Sequence, residues 1–113
     1  MPIMQVGGIW DISQSNGFRV NMNVTQNGEH LSAQATQMGH GITSTSAEGT
    51  VTGGHFDMTI DWPNGTRGRY TGDFKQGHFG GPNQGHLEGR TVDLLHPGSS
   101  ASWQSEGLVV HFA

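Results

Sequence analysis

The sequence predicts a single all-β domain, residues 1–113, in which eight antiparallel strands close into an up-and-down β-barrel. Apolar and polar residues alternate with a period of two in several segments, which is the pattern of a strand with one buried face. Residues that favour turns, mostly Gly, Asn and Pro, recur roughly every eight to twelve positions, as in a meander of short strands. The 19 glycines among 113 residues fit tight turns and argue against helices.

The clearest strand pair lies within residues 56–72. Residues 56–62 alternate strictly, so four apolar side chains that end with Trp62 share one face. Residues 63–65 read Pro-Asn-Gly and predict a tight turn, because Asn and Gly tolerate positive φ and Pro ends the ladder. The returning strand places Tyr70 between two glycines on its inner face. Since glycine fills no space, this face is typical of a barrel that encloses a cavity.

The other strands follow from the same alternation and from the turns between them. They are predicted at residues 8–15, 18–25, 31–35, 47–51, 86–95 and 101–105. Longer loops are predicted at residues 38–45 and 75–84, where glycines and Pro82 disfavour regular structure, and an apolar tail follows at 108–112. Closing eight strands on themselves removes both sheet edges. The alternative is a two-sheet sandwich, which needs a long crossover that only the loop at 75–84 could supply.

Alternate turns of a meander lie at the same end of the barrel. The first rim is predicted to hold the turns at residues 15–17, 38–45, 63–65 and 96–98, and the second rim those at 27–29, 53–54 and 75–84. Many inner positions are too small to fill the lumen of an eight-stranded barrel. They are Ala33, Ala35, Ala47, Gly49, Gly68, Gly72, Gly89 and Ala101. We therefore expect a cavity that is open at the first rim and walled by aromatic side chains.

The candidate ligand contacts are the polar and aromatic residues expected inside the barrel near that rim. They are Phe18, Trp62, Tyr70, Thr91, Asp93 and Trp103. The aromatic rings suit a flat ligand or a sugar ring, although they could also simply fill the barrel. Asp93 is of special interest, because alternation along its strand puts the carboxylate inside, where an unpaired charge is costly. It could contact a ligand or act as a general base. It could also pair with an arginine (Arg67, Arg69 or Arg90), or the strand register could differ by one.

Composition and spacing exclude several other functions. A net charge of -4 with five Lys and Arg argues against nucleic acid or an anionic membrane as a partner. Without cysteine the chain has no disulfides and no thiolate chemistry, and the sequence does not indicate whether the protein works in an oxidising or a reducing compartment. Four of the seven histidines, His30, His55, His78 and His86, begin strands that are separated by another strand, about 10 Å apart, so we expect no metal site. No cofactor motif is present, and any enzymatic interpretation depends on Asp93 alone.

Several short motifs resemble the avidin and streptavidin family of calycin-type barrels. They are residues 8–10 (Gly-Ile-Trp), 59–64 (Thr-Ile-Asp-Trp-Pro-Asn), 69–72 (Arg-Tyr-Thr-Gly) and 101–105 (Ala-Ser-Trp-Gln-Ser). The resemblance implies an eight-stranded barrel that binds a small molecule at one end, with aromatic walls and a lid between strands three and four. It also implies a dimer or tetramer in which Trp103 reaches a neighbour's pocket. The apolar residues 108–110 would add a contact strip.

The chain departs from that family at the residues that hold biotin. Ala35 and Gln37 stand where the family has a tyrosine and a serine, and Asp93 replaces a tryptophan. The tail, residues 109–112, lacks the family's aspartate, and only the region of Ser13, Ser15 and Asn16 offers other polar contacts. A buried ureido group would cost about 1–3 kcal/mol for each missing hydrogen-bond partner, so tight biotin binding is not expected.

The expected function is therefore non-enzymatic binding of a small, partly aromatic or cyclic molecule. The alternatives are a carbohydrate-binding lectin and a small barrel cyclase or isomerase that uses Asp93 as its general base.

Overall fold

The computed structural model describes residues 3–76, 84–96, 98–108 and 110–112, which contain eleven strands and no helix. The strands are β1 (Met4–Gln5), β2 (Gly8–Gln14), β3 (Arg19–Asn27), β4 (His30–Gln37), β5 (Ile42–Thr43), β6 (Ser46–Thr52), β7 (His55–Asp61), β8 (Arg67–Gln76), β9 (Gln84–Asp93), β10 (Ser100–Glu106) and β11 (Val110–Phe112). In the described part of the chain, no helix could span a membrane.

Eight of these strands form a closed antiparallel barrel. Each strand of the series β2, β3, β4, β6, β7, β8, β9 and β10 pairs with the next, and β10 returns to pair with β2. The closing ladder places Trp103 opposite Gln14 and Glu106 opposite Asp11. The predicted up-and-down barrel is therefore confirmed, and the two-sheet alternative is wrong.

The inner faces of the strands carry the core that alternation predicts. Eight residues on the apolar faces of the alternating strands are all buried: Trp10, Val20, Met22, Leu31, Val51, Phe56, Ile60 and Trp62. Three aromatic rings of the core meet edge to face, Trp10 with Phe56 at 6.0 Å and Phe56 with Trp103 at 5.6 Å between centroids. Such edge-to-face contacts are favourable beyond the apolar area that they bury.

Two short strands that the sequence pattern did not predict cover the second rim. β1 pairs with β11, and β11 pairs with the start of β9. Met4, Val6 and Val110 are fully buried there. The carboxamide of Gln26 fixes the N-terminal segment, because its Oε1 accepts from the Val6 backbone N–H at 2.7 Å and its Nε2 donates to the Met4 carbonyl at 2.8 Å. The barrel is thus covered at the end opposite the first rim.

The two predicted loops differ in detail from the structure. Within residues 38–45, β5 pairs with the end of β4, so this segment is partly regular. Likewise, β8 extends to Gln76 and β9 begins at Gln84, so both ends of the loop predicted at 75–84 belong to strands. Residues 77–83 lie outside the described residues.

Trp103 lies inside its own barrel. It is 3% exposed, and its indole N–H donates to the carbonyls of Thr71 at 3.2 Å and Arg90 at 3.1 Å. Val110 of the expected contact strip is also buried, while Val109 lies outside the described residues. Neither Trp103 nor Val110 therefore offers a surface for assembly. The expected dimer or tetramer stays a prediction, which light scattering at micromolar concentration can check.

Two inward glycines do not leave empty space, contrary to the expectation from sequence. Gly72 and Gly89 lie opposite each other on β8 and β9. A Cβ on Gly89 would lie 1.8 Å from the Thr71 carbonyl oxygen, and one on Gly72 would lie 2.8 Å from Cζ2 of Trp103. These glycines let β8 and β9 approach closely and let the Trp103 ring pack on the sheet.

Gly89→Ala is accordingly expected to lower the free energy of unfolding by about 1–3 kcal/mol or more, because backbone atoms must move to admit the methyl group. Gly98→Ala is the matched control, since a Cβ there meets nothing within 4 Å. Denaturant unfolding of both variants measures the difference. Equal stability of the two variants would contradict the close approach of β8 and β9.

Candidate functional site

A cavity of about 140 Å³ lies at the first rim. Five of the predicted ligand contacts line it: Phe18, Trp62, Tyr70, Thr91 and Asp93. Trp103, the sixth, lies below it in the aromatic core, with its ring 6.1 Å from that of Tyr70. Sites for drug-sized ligands usually measure about 300–1,000 Å³, whereas an apolar cavity of about 150 Å³ in another protein takes up benzene. This cavity therefore has room for about one six-membered ring.

The floor of the cavity is a hydrogen bond that crosses the barrel. The hydroxyl of Tyr70 on β8 donates to Oε1 of Gln14 on β2 at 2.7 Å. Nε2 of Gln14 donates in turn to Oδ1 of Asn16 at 3.2 Å, and the same oxygen accepts from the backbone N–H of Phe18 at 3.2 Å. These bonds connect the floor to the turn between β2 and β3.

Tyr70 is neutral at ordinary pH. Burial raises the pKa of its phenol to about 12, and a hydrogen bond with Thr91 opposes part of that rise. The floor therefore has hydroxyl and carboxamide groups and no charge, which suits an uncharged ligand that can donate or accept a hydrogen bond.

Trp62 forms the aromatic wall at the mouth of the cavity. Its backbone N–H donates to the Thr66 carbonyl at 2.9 Å, and its carbonyl accepts from the Gly65 N–H at 3.1 Å. The turn that the sequence predicted at residues 63–65 thus holds the ring in place. Trp62 is 7% exposed, so the molecule itself buries most of it.

Gln37 also borders the cavity, although from sequence it stood out only as a departure from the avidin pattern. It lies at the end of β4 and lines the cavity. Its backbone carbonyl accepts from the N–H groups of His40 and Gly41, but its carboxamide has no hydrogen-bond partner among the described residues. A half-buried carboxamide without a partner is well placed to bind a ligand that offers both a donor and an acceptor.

Gln14 was not predicted either, because its role depends on a partner 56 residues away in sequence. Asn16 does line the cavity, as its position near the first turn suggested. Ser13 and Ser15 instead lie along a groove on the outer face of β2, β9 and β10.

Asp93 lies at the cavity wall, but its carboxylate belongs to the turn between β9 and β10. Oδ1 accepts from the Leu95 backbone N–H at 2.9 Å, and Oδ2 lies 3.2 Å from Nδ1 of His96. The backbone N–H of Leu95 lowers the pKa of Asp93, partial burial opposes this, and His96 lowers it further. The pKa of Asp93 is therefore lower than usual, because several donors hold the charged form.

None of the three arginines considered as partners of Asp93 forms an ion pair with it. Arg67 forms an ion pair with Asp61, and Arg69 forms one with Asp57 at 2.7 Å. Arg90 donates to the Ser100 hydroxyl at 3.4 Å.

None of the histidines that the structure describes lines the cavity. His55 pairs with Asp73 at 2.9 Å and His86 with Glu88 at 3.1 Å on the outer face, and His78 lies outside the described residues. Among the residues that the structure describes, no three His, Asp or Glu side chains are grouped so that they could hold a metal ion.

Comparison with known proteins finds no match to any protein-family model, curated protein or solved structure. The similarity to the avidin and streptavidin family therefore stays a proposal. The function has to be argued from the cavity itself.

Tyr70 is the single tyrosine, so absorbance at alkaline pH reports on the cavity floor alone. We expect ionisation near pH 12 in the folded protein and near pH 10 in denaturant. Because the folded state holds the proton more tightly, the free energy of unfolding should fall by about 2–3 kcal/mol as pH rises from 10 to 12. Thr91→Val should move ionisation to still higher pH. Ionisation near pH 10 in the folded protein would contradict the buried floor.

Proposed function

We propose that this barrel is a non-enzymatic binding protein that holds a small, uncharged cyclic molecule in the cavity at the first rim. The observation that carries the proposal is the cavity's combination of one aromatic wall, Trp62, with the unpaired carboxamide of Gln37. An aromatic wall gives apolar contact with a ring, and the carboxamide selects for hydrogen-bonding groups on its edge.

The charges at the mouth support an uncharged ligand. Arg67 is paired with Asp61, and the Asp93 carboxylate accepts a backbone hydrogen bond. A charged ligand would have to displace these partners in order to pair with Arg67 or Asp93.

The low pKa of Asp93 argues against the cyclase or isomerase alternative. A general base works best when its pKa lies near the operating pH, and that of Asp93 is below the ordinary value of an aspartate. Asp93→Asn separates the two functions. A binding protein would keep its affinity for an uncharged ring, whereas an enzyme would lose turnover.

A lectin function has weaker support. The polar groove on the outer face includes Ser102, Gln104 and Glu88, but the one aromatic residue along it, Trp103, is 3% exposed. A sugar site on this face would therefore lack an exposed aromatic ring on which a sugar could stack.

The size of the cavity supports the expectation that biotin is not a tight ligand. Biotin has two fused rings and a side chain, whereas about 140 Å³ suits a single ring. A distant relationship to the avidin family is compatible with a different ligand, because related barrels can carry different sites.

The most direct test is native mass spectrometry of gently purified protein, followed by binding assays with phenol and δ-valerolactam. A co-purified compound of single-ring size, or binding of either probe, would support the proposal. Phenol binding should shift tryptophan emission in Trp103→Phe but much less in Trp62→Phe, since only Trp62 lines the cavity. Failure of both probes with no bound compound would refute the proposal.

A separate prediction concerns Gln37. A lactam presents a donor beside an acceptor and can pair with a carboxamide. Gln37→Ala should therefore weaken δ-valerolactam binding by about threefold to tenfold, which corresponds to one net hydrogen bond. Gln34→Ala, at an exposed position of the same strand, is the control and should bind normally. Equal affinity of the two variants would remove Gln37 from the site.

A further inference from the structure

Four large apolar side chains in turns of the first rim are exposed to solvent. Phe18, Met38, Leu94 and Leu95 are exposed by 43%, 46%, 42% and 57%, and we call them the apolar collar. They lie in three turns of the first rim. Among the described residues, only one other large apolar side chain is exposed, Ile9 on β2 at 70%. The exposed apolar surface of the described residues is therefore concentrated at the first rim, and such a concentration indicates a binding surface.

Backbone hydrogen bonds hold the collar turns in place. The Met38 N–H donates to the Arg19 carbonyl at 2.9 Å, and the Leu94 N–H donates to the Arg67 carbonyl at 2.8 Å. The Leu95 N–H donates to the Asp93 carboxylate. The ring of Phe18 lies 5.7 Å from that of His40. A fixed surface loses little entropy on binding, so it suits a ligand better than a mobile loop does.

The collar adjoins the cavity along the chain. Phe18 belongs to both, Met38 follows the cavity residue Gln37, and Leu94 follows the cavity residue Asp93. If the ring of a ligand fills the cavity, a substituent that projects from that ring would therefore lie against the collar. Since the cavity holds about one ring, the rest of a larger ligand has to lie across this surface.

The charges favour a small-molecule substituent over a membrane as the occupant. The chain carries a net charge of -4, which disfavours an anionic lipid surface. Near the collar, Asp93 is already bonded to the backbone and to His96. Two charged residues beside the collar, Asp93 and Arg67, therefore already have partners.

We propose that the ligand is amphipathic, with a hydrogen-bonding ring in the cavity and an uncharged apolar chain across the collar. This inference rests on the proposed function and adds the class of ligand. The ring would meet the polar floor of Gln14 and Tyr70, and the chain would leave through the mouth over Leu94 and Leu95.

The test is a calorimetric series with phenol and its 4-ethyl, 4-propyl, 4-butyl and 4-pentyl derivatives. In these probes the hydroxyl can reach the floor while the chain points outward. Affinity should rise by about threefold for each added methylene, as expected for burial of apolar area. Excess phenol should displace 4-pentylphenol, because both probes share the cavity.

The double variant Leu94→Ser/Leu95→Ser should bind phenol like the wild type but lose most of the gain with chain length. Ile9→Ser is the matched control, because it removes an exposed apolar side chain away from the mouth, and it should keep the full gain. The backbone N–H groups of both leucines remain available to hold the turn in the double variant.

The outcomes separate the two proposals. If phenol binds but affinity does not rise with chain length, or rises equally in the double variant, the collar has no part in binding and this inference fails while the proposed function stands. If none of these phenols binds, this inference fails, whereas the proposed function fails only if δ-valerolactam also does not bind and no compound co-purifies. The inference would also be overturned if the protein sediments with phosphatidylcholine vesicles, or self-associates in light scattering, and the double variant does not. The collar would then face a membrane or a second copy.

Discussion

The hydrogen bond between Tyr70 and Gln14 divides the interior of this barrel into two parts. Below it lies an aromatic core with Trp103 and Phe56, and above it lies the cavity. The bond joins strands that are not neighbours, so it depends on a side chain as long as tyrosine to span the lumen. It also continues through Asn16 to the backbone of Phe18, so one chain of hydrogen bonds fixes both the depth of the cavity and the turn at its edge.

The two ends of the barrel are built differently. At the second rim, Met4, Val6 and Val110 fill the lumen with apolar side chains, and Gln26 holds the N-terminal segment by bonds to its backbone. At the first rim no strand crosses the opening among the described residues, and the turns instead place polar and apolar side chains around it. The small inner residues have different roles along the barrel. Gly68 borders the cavity, whereas Gly72 makes room for the ring of Trp103.

Sequence alone predicted the barrel, the grouping of turns into two rims and five residues of the cavity wall. Strict alternation made this possible, since a strand with one buried face leaves a local pattern. β1 and β11 were not predicted because each is two or three residues long and pairs with a distant partner. The pairing of Gln14 with Tyr70 and the free carboxamide of Gln37 leave no local signal either. Asp93 lines the cavity, but donors of the next turn hold its carboxylate and lower its pKa, and alternation does not describe that turn geometry.

The pairing of Met4 with Phe112 brings both ends of the described chain into one ladder at the rim opposite the mouth. A polypeptide attached beyond either residue would therefore leave the barrel on the side away from the cavity. The molecule could be tethered to a surface, a carrier or another domain through either end, or through both ends side by side, while the mouth stays open to solvent. For the same reason, a short peptide joining the two ends would close the chain into a ring without passing over the opening.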